Sequence, residues 1–419
     1  MKVVVIGQGY VGLPLAVRAA ETGHTVFGLE IDQERTEKLA TGQSYIEDIP
    51  DAQLCKVIET GRYIPTCDPA VLQDFDVAVI TVPTPLRDGA PDLGFVEEAA
   101  GTIAKYLNRG ATVIVESTTY PGTTDGVVRP LLEEASGLTA EEDFYLGFSP
   151  ERIDPGNPKW GFVNTPKIVS GTGSRSLAAL QDFYTPLVER TVPLSGTKEG
   201  EFTKLIENTF RAVNIALVNE LADAAHALDI DVWESLEAAA TKPFGFMKFT
   251  PGPGVGGHCL PIDPEYLSWR LRQKTGEELQ FWSLARKIAS RRPAQVVQRL
   301  SEGLNRQGKA VNGSTVLLLG LAYKANVSDC RESPALRVAE LLLSLGAEVR
   351  AVDPWVPGNF PVPTGVHRVD ASGTEFRNAD AVVLLTDHEG IDYDLLCVEA
   401  AYVLDCRNRL KRGRTVETI

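Results

Sequence analysis

Residues 2 to 30 constrain the fold more than any other stretch. Lys2 to Ile6 is a short apolar run that reads as a β-strand. Gly7-Gln8-Gly9-Tyr10-Val11-Gly12 follows, then an Ala/Leu-rich helical stretch from Leu13 to Thr22. Gly23-His24 leads into a second strand, Thr25 to Glu30. Strand, G-x-G-x-x-G, helix and strand, closed by an acid, is the context in which such a turn binds a dinucleotide. Gly7 makes the tight turn, Gly9 admits a pyrophosphate, and Gly12 lets the helix pack on the sheet. Tyr10 and Val11 complete the turn, and the helix N-terminus faces the phosphates. Glu30 is placed to accept ribose hydroxyls. A carboxylate there repels a 2′-phosphate, which selects NAD over NADP.

Further strand-and-loop units follow. Asp76 to Val82 runs into Pro83-Thr84-Pro85, and Ala111 to Glu116 runs into Ser117-Thr118-Thr119-Tyr120-Pro121-Gly122. Both loops leave the carboxyl end of a strand, where ligands of a doubly wound sheet bind. Thr84 and Thr118 are therefore cofactor-contact candidates, or simply loop caps. Asp143 to Phe148 leads into a third such loop with Glu151 and Arg152, which read as catalytic groups or as an ion pair. Ile168 to Ser170 and Thr191 to Leu194 complete the sheet.

The middle is helical. Glu201 to Leu228 carries apolar residues at helical spacing, and its 28 residues would span about 42 Å. Lys204 and Asn208 stand four apart, on one face. After a short helix at Ser235 to Ala240 comes Pro251-Gly252-Pro253-Gly254-Val255-Gly256-Gly257-His258-Cys259, with Asp263 four residues on. So many glycines forbid regular structure and allow close backbone approach. The stretch reads as a pocket wall presenting a thiol, or as a turn around an inert cysteine. Leu267 to Leu304 is mainly helical, with a break near Gly276 and strain at Pro293.

A second strand-helix series begins at Ser314 to Leu319 and continues through a helix at Pro334 to Leu345 and strands at Glu348 to Asp353, Ala381 to Thr386 and Tyr402 to Asp405. It lacks G-x-G-x-x-G. Lys324, Arg331 and Arg407 sit in loops after strands, as anion-binding groups or as surface charges. The expected fold is therefore α/β, with two Rossmann-like doubly wound domains joined by a central helical region containing one long helix. Boundaries fall at 1–197, 198–308 and 309–419.

Bulk properties narrow the partners. A net charge of −15 on 419 residues argues against nucleic acid and anionic membrane surfaces. No apolar run reaches the length of a membrane span, and Met1 to Gly7 is too short for a signal peptide. The six cysteines (55, 67, 259, 330, 397 and 406) show no metal-binding spacing and suit free thiols in a reducing cytoplasm.

Eight ordered phrases resemble the UDP-glucose/GDP-mannose dehydrogenase family of nucleotide-sugar 6-dehydrogenases. They are Gly7-Gln8-Gly9-Tyr10-Val11-Gly12-Leu13-Pro14, Val82-Pro83-Thr84-Pro85, Ser117-Thr118 with Pro121-Gly122-Thr123-Thr124, Ser149-Pro150-Glu151-Arg152, Lys204-Leu205-Ile206-Glu207-Asn208, Gly256-Gly257-His258-Cys259 with Asp263-Pro264, Gly320-Leu321-Ala322-Tyr323-Lys324 with Arg331-Glu332-Ser333, and Asp405-Cys406-Arg407-Asn408. The resemblance implies oxidation of a hexose C6 alcohol to a carboxylate with two NAD in succession. The intermediate aldehyde has no hydride to lose until a nucleophile adds, and a thiolate supplies one. By resemblance Cys259 is that nucleophile. Lys204 raises its thiolate fraction and stabilises oxyanions, and Asn208 holds a water or the oxyanion. Asp263 orients Lys204 or the water, and Glu151 is the base for thioester hydrolysis. Thr118 belongs to both the catalytic and the cofactor set. Arg152, Gly257, Lys324 and Arg407 join Glu151, Lys204 and Asn208 on the substrate. Arg331 lies nearer the nicotinamide, while Glu30 and Arg35 take the adenosine ribose.

The family's build implies a homodimer. Phrases around Pro251 to His258 are similar to the branch acting on UDP-N-acetylhexosamines, and Thr241 to Met247 is most like the UDP-N-acetylglucosamine group. The expected substrate is UDP-N-acetylglucosamine or UDP-glucose. The alternatives are a UDP- or TDP-glucose dehydrogenase of secondary metabolism and a non-catalytic NAD-binding regulator.

Overall fold

The computed structural model describes residues 1–419 except 155, 156, 158, 258 and 259. The chain divides into two compact units. One is Met1–Glu207 with Ile262–Glu277, and the other is Asn208–Pro261 with Glu278–Ile419.

The first unit holds the larger sheet. Its strands are β1 (Lys2–Ile6), β2 (Thr25–Leu29), β3 (Tyr63–Thr66), β4 (Val77–Ile80), β7 (Thr112–Val115), β8 (Tyr145–Phe148), β9 (Lys167–Gly171) and β10 (Thr191–Leu194). A two-stranded antiparallel ribbon, β5 (Leu86–Arg87) and β6 (Ala90–Pro91), sits apart. The order across the sheet is β10-β9-β8-β7-β4-β1-β2-β3. The strand order reverses between β1 and β4, which is where a doubly wound sheet opens a crevice. All pairings are parallel but β8 with β9. A parallel return needs a crossover element, and the described part of 149–166 contains no helix, so β9 comes back antiparallel.

Helices α1 (Gly12–Glu21), α2 (Gln33–Ala40), α3 (Asp51–Glu59), α4 (Gly94–Ala104), α5 (Arg129–Ser136) and α6 (Ser174–Tyr184) accompany this sheet. Val3 and Val5 pack with Leu13, Ala16 and Val17 of α1 on one face, while Val4 packs with Ala100 and Ile103 of α4 on the other. Strands buried on both faces account for their unbroken apolar runs.

Helix α7 (Thr197–Ala227) begins four residues ahead of the start expected at Glu201 and takes in Gly200. A side chain at 200 would press on Ser170 and Phe148, so the glycine is kept for close packing. The boundary between the two units falls inside this helix. Helix α8 (Val232–Ala240) starts at Val232 because the Asp231 carboxylate caps the amides of Trp233 and Glu234. Helices α9 (Asp263–Thr275) and α10 (Gln280–Arg306) follow, separated near Gly276, and α10 carries Pro293 in its interior.

The second unit contains β11 (Thr315–Leu319), β12 (Glu348–Val352), β13 (Val366–Arg368), β14 (Ala381–Leu384), β15 (Val403–Asp405) and β16 (Val416–Thr418), ordered β13-β12-β11-β14-β15-β16. Every pairing is parallel. Helices α11 (Pro334–Ser344), α12 (Gly373–Asn378) and α13 (Tyr393–Glu399) cover it together with α10. The reversal between β11 and β14 repeats the one between β1 and β4.

Candidate active site

The first turn is built as its glycines require. Gly7 sits at φ +92°, where L side chains are disfavoured, and a Cβ there would meet the Thr81 carbonyl oxygen at 2.8 Å. A Cβ on Gly12 would overlap the Gly7 carbonyl oxygen. Gly9 differs, because nothing lies within 4 Å of where its Cβ would stand. The chain has no use of its own for that space, and it opens at the start of α1. Glu30 is buried. It accepts from the Gln8 amide at 3.0 Å on one oxygen and from the Ile31 and Asp32 amides at 2.9 and 3.2 Å on the other. The expected ribose acceptor is thus first a brace for the turn, with lone pairs left over. Arg35 stacks 5.4 Å over the Tyr45 ring, and the Tyr45 hydroxyl donates to the Gln8 carbonyl at 2.6 Å.

Two further loops meet the carboxyl end of this sheet. Buried Thr84 has its carbonyl bound by the Tyr266 hydroxyl of α9. The loop after β7 carries half-buried Thr118. Its neighbour Ser117 donates to the Val82 carbonyl at 2.7 Å. The rest of that loop hangs on Glu201 of α7. This fully buried carboxylate accepts from the Gly122 amide (2.5 Å), the Thr124 amide and hydroxyl (both 2.8 Å) and the Thr119 hydroxyl (3.3 Å). Burial pushes its pKa up, and the Thr124 and Gly122 amides pull back only in part, leaving it at about 7. Lys204 stands one turn further along the same helix.

The loop after β8 brings a buried charge cluster together. One Glu151 oxygen accepts from the Arg152 and Ile153 amides at 2.6 and 2.7 Å, and the other meets Lys167 Nζ at 3.0 Å. Lys167 also reaches Glu116 at 3.0 Å, and the Tyr184 hydroxyl donates to Glu116. Burial raises Glu151, but Lys167 and the two amides outweigh it and hold the pKa below the usual carboxylate range. Burial dominates at Glu116 and raises it. Lys204 Nζ donates to the Glu151 backbone carbonyl at 2.5 Å, which ties the amine to the loop that carries this carboxylate. Glu151 and Arg152 do not pair through their side chains. Arg152 grips Glu207 through two nitrogens (2.6 and 3.2 Å) and the Pro166 carbonyl at 2.7 Å. Asp263 is buried at the first position of α9, and Asn208 is buried one turn past Lys204.

In the second unit the glycine stretch packs closely against the turn after β11. A Cβ at Gly256 would meet the Tyr323 Cβ at 2.7 Å, and one at Gly257 would meet the Tyr323 ring at 3.0 Å. The Gly257 amide donates to the Arg331 carbonyl at 2.8 Å. These glycines admit the close packing of Tyr323. Lys324 is half-buried beside that tyrosine, Arg331 pairs with Asp329 at 2.7 Å, and Arg407 donates to the Leu385 carbonyl at 2.6 Å. A cavity of about 840 Å³ in this unit, lined by His226, Arg299, Tyr402 and Arg412 among others, touches none of the expected site residues.

Comparison with known proteins decides the family. Residues 1–188 match the NAD-binding domain of the UDP-glucose/GDP-mannose dehydrogenase family, residues 198–291 its central domain, and residues 317–412 its UDP-binding domain. The chain belongs to the UDP-glucose/GDP-mannose dehydrogenase family. It is 36% identical to the UDP-N-acetyl-D-mannosamine dehydrogenase of Pyrococcus horikoshii, over 98% of this chain and 96% of that one. It is also 36% identical to the UDP-N-acetyl-D-glucosamine 6-dehydrogenase of Pseudomonas aeruginosa, over 97% of each. A solved structure of the Pyrococcus horikoshii UDP-D-ManNAc dehydrogenase superposes with a TM-score of 0.91 at 35% identity, covering 100% of this chain and 99% of that one.

As a member of this family the chain is an oxidoreductase, a nucleotide-sugar dehydrogenase with an NAD-binding domain. The geometry of the first turn fits NAD. Gly9 leaves the cradle open, Gly12 sets the helix end against it, and Glu30 stands at the end of β2. Cys259 and His258 lie outside the described residues. The structure adds Glu201, Lys167 and Glu116, which sequence reading passed over. Their only signal is a charge inside a pattern whose neighbours are buried, and that does not reveal which loop a side chain holds.

Proposed function

We propose that this dehydrogenase oxidises C6 of a UDP-N-acetylhexosamine, of gluco or manno configuration, from alcohol to carboxylate, with Cys259 as covalent nucleophile. The sugar class rests on the two relatives at 36% identity, both of which act on UDP-N-acetylhexosamines by name. The manno configuration was not foreseen from sequence, and the TDP-glucose reading receives no support from these relatives.

One observation carries the chemistry: Lys204 Nζ lies on the Glu151 carbonyl, one helical turn before Asn208. An ammonium is thus held against the loop that carries Glu151, with a carboxamide one turn on along the same helix. NAD, when bound, accepts a hydride in each oxidation. Lys204 stabilises the alkoxide and oxyanion at C6, and Asn208 holds the attacking water or the oxyanion. Cys259 adds to the aldehyde to give a thiohemiacetal, and its oxidised form is a thioester. Glu151, kept ionised by Lys167 and two amides, takes a proton from the water that hydrolyses it. Asp263 orients Lys204 or that water. Thr84, Thr118 and Arg35 line the cofactor, Arg331 approaches its nicotinamide, and Lys324, Arg152 and Arg407 serve the nucleotide sugar. Arg152 keeps donors beyond the three that hold Glu207 and Pro166.

Association as a homodimer belongs to the proposal. Phe210, Leu217 and Leu221 of α7 are about half exposed, and Leu228, Phe244, Met247 and Phe281 are more exposed still. Apolar surface of that extent marks a contact face. Among the described residues no helix is long and apolar enough to cross a membrane. The five described cysteines are free, in keeping with a cytoplasmic setting.

The test is NADH absorbance against a panel of UDP-sugars. Two NADH per sugar are expected with UDP-N-acetylglucosamine or UDP-N-acetylmannosamine. Cys259→Ser should stop turnover to the acid. One NADH per sugar, or full acid production by Cys259→Ser, would overturn the covalent route.

A further inference from the structure

We propose that Asp353 and His388 are positioning residues for the nucleotide sugar, acting by fixing the Gly320–Asn326 turn and through it Lys324. The inference rests on the reading above that Lys324 serves the sugar nucleotide.

Neither side chain has any exposed surface. Asp353 follows β12, His388 follows β14, and the turn between them follows β11, so the pair spans the point where the strand order reverses. One Asp353 oxygen accepts from the Leu321 amide (2.6 Å), the Ala322 amide (2.9 Å) and His388 Nε2 (3.0 Å). The other accepts from the Trp355 and Val356 amides at 2.9 and 3.0 Å. The far side of the turn is held by the histidine. The Asn326 amide donates to His388 Nδ1 at 3.0 Å. Because Nδ1 receives a proton donor, the imidazole proton sits on Nε2 and is given to Asp353.

Lys324 lies midway between the two anchored flanks. Ala322 is tied to Asp353 through its amide and to the Thr386 hydroxyl through its carbonyl, at 2.7 Å. Asn326 is tied to His388, and its side-chain oxygen accepts the Glu389 amide at 2.8 Å. Asn326 itself sits at φ +60°, a conformation that asparagine tolerates only at some cost and that these bonds hold in place. A lysine contributes as a point charge on a flexible stem, so its value to an anionic ligand depends on a fixed starting point. The dyad touches no reacting atom. It is buried, saturated with bonds to the turn, and takes no part in the two oxidations.

The test is steady-state kinetics of His388→Asn and His388→Gln in the full chain. UDP-N-acetylglucosamine is varied at saturating NAD, and NAD is then varied at saturating sugar. Asparagine offers an acceptor to the Asn326 amide but does not reach Asp353, and glutamine reaches Asp353 but leaves that amide unbound. Each is expected to raise the sugar KM about tenfold, the loss of one buried hydrogen bond, with kcat and the NAD KM within about twofold. His388→Gln placed on Lys324→Ala should add less than about twofold, since both act through one contact. If the histidine variants do not fold by circular dichroism, Asn326→Gly is used. It keeps the backbone and the bond to His388 but releases Glu389, and should raise the sugar KM about threefold. An unchanged sugar KM, or an equal rise in both KM values, overturns the dyad. If Lys324→Ala itself leaves the sugar KM unchanged, the assignment of Lys324 fails instead.

Discussion

The two doubly wound sheets order their central strands alike, yet their first turns do opposite work. After β1 the chain makes Gly7 at φ +92° against Thr81, and after β11 it makes Gly320 at φ +88° against Thr386. The amide of each glycine donates to the end of the next strand, Gly7 to the Leu29 carbonyl and Gly320 to Val352. Each sheet then places an acid after its second strand, Glu30 in one and Asp353 in the other. From there they part. Helix α1 starts five residues after Gly7, with Gly9 opening space before it, whereas α11 starts only at Pro334. Glu30 holds one amide of its turn and keeps acceptor capacity, while Asp353 takes five donors and is used up. One frame thus yields a cradle for a diphosphate at a helix end, and the other a stiff turn that presents a lysine.

The two turns should differ most at their glycines. Gly12→Ala drives a methyl into the Gly7 carbonyl and Thr81, which should cost about 3 kcal/mol and abolish NAD binding. Gly320→Ala strains the matching turn by about 2 kcal/mol and should leave the NAD KM unchanged while raising that of the sugar. Urea unfolding and KM for each substrate separate the two, and a lost NAD site in Gly320→Ala would refute the division of labour.

The buried acids that lace the loops give the next effect, of opposite sign in the two units. Glu201, which pairs with no cation among the described residues, has its pKa raised by burial to about 7. Such a group lends stability that is complete below its ordinary value of 4.5 and disappears as pH rises through about 7. Asp353 would also be raised by burial, but the His388 hydrogen bond and the Leu321 and Ala322 amides hold it down at about 2. Its contribution is present above 3.8 and is lost as pH falls through about 2. Urea unfolding at about pH 6 and about pH 8 should show the chain weakening at the higher value, and Glu201→Gln should narrow that difference. Asp353→Asn should leave it unaltered across the same window, and a matching change there would mean that the two acids are not distinct.

The smallest effect on the fold is expected at Gly9. With no atom within 4 Å, Gly9→Ala should leave the melting temperature within about 1 °C, yet raise the NAD KM about tenfold or more. An unchanged KM would show that the open space is not where the cofactor lies.

Much of this was legible before the structure. The inner strands of both sheets follow from apolar runs bounded by Gly and Pro, and the dinucleotide turn follows from three glycines between a strand and a helix, whereas the short edge strands β3, β13 and β16 lack such a run. The helix boundaries at Thr197 and Val232 were not legible, because Gly200 and Asp231 act through tertiary packing and a cap. Glu201, Lys167 and Glu116 were missed for the same reason. A lone acid or lysine in sequence does not say whether it is solvated or sealed against a loop dozens of residues away. Asp353 does carry a local signal, since it follows the second strand of its sheet as Glu30 does. At the glycines from 254 to 257 the close approach that the sequence calls for includes Tyr323 and Pro334, which no local pattern reveals.

Local pattern alone determined the two-sheet frame, the NAD turn and the spacing of Lys204 and Asn208, because strand and helix periods are written residue by residue. Only the tertiary structure decided which charges are spent inside the protein. Arg152 holds Glu207, Glu30 braces its own turn, Asp353 and His388 close on Lys324's loop, and Glu201 carries the loop of Thr118. Hydrogen bonds and burial act across distances in sequence that no local period encodes, and they set both the place and the protonation of each of these groups.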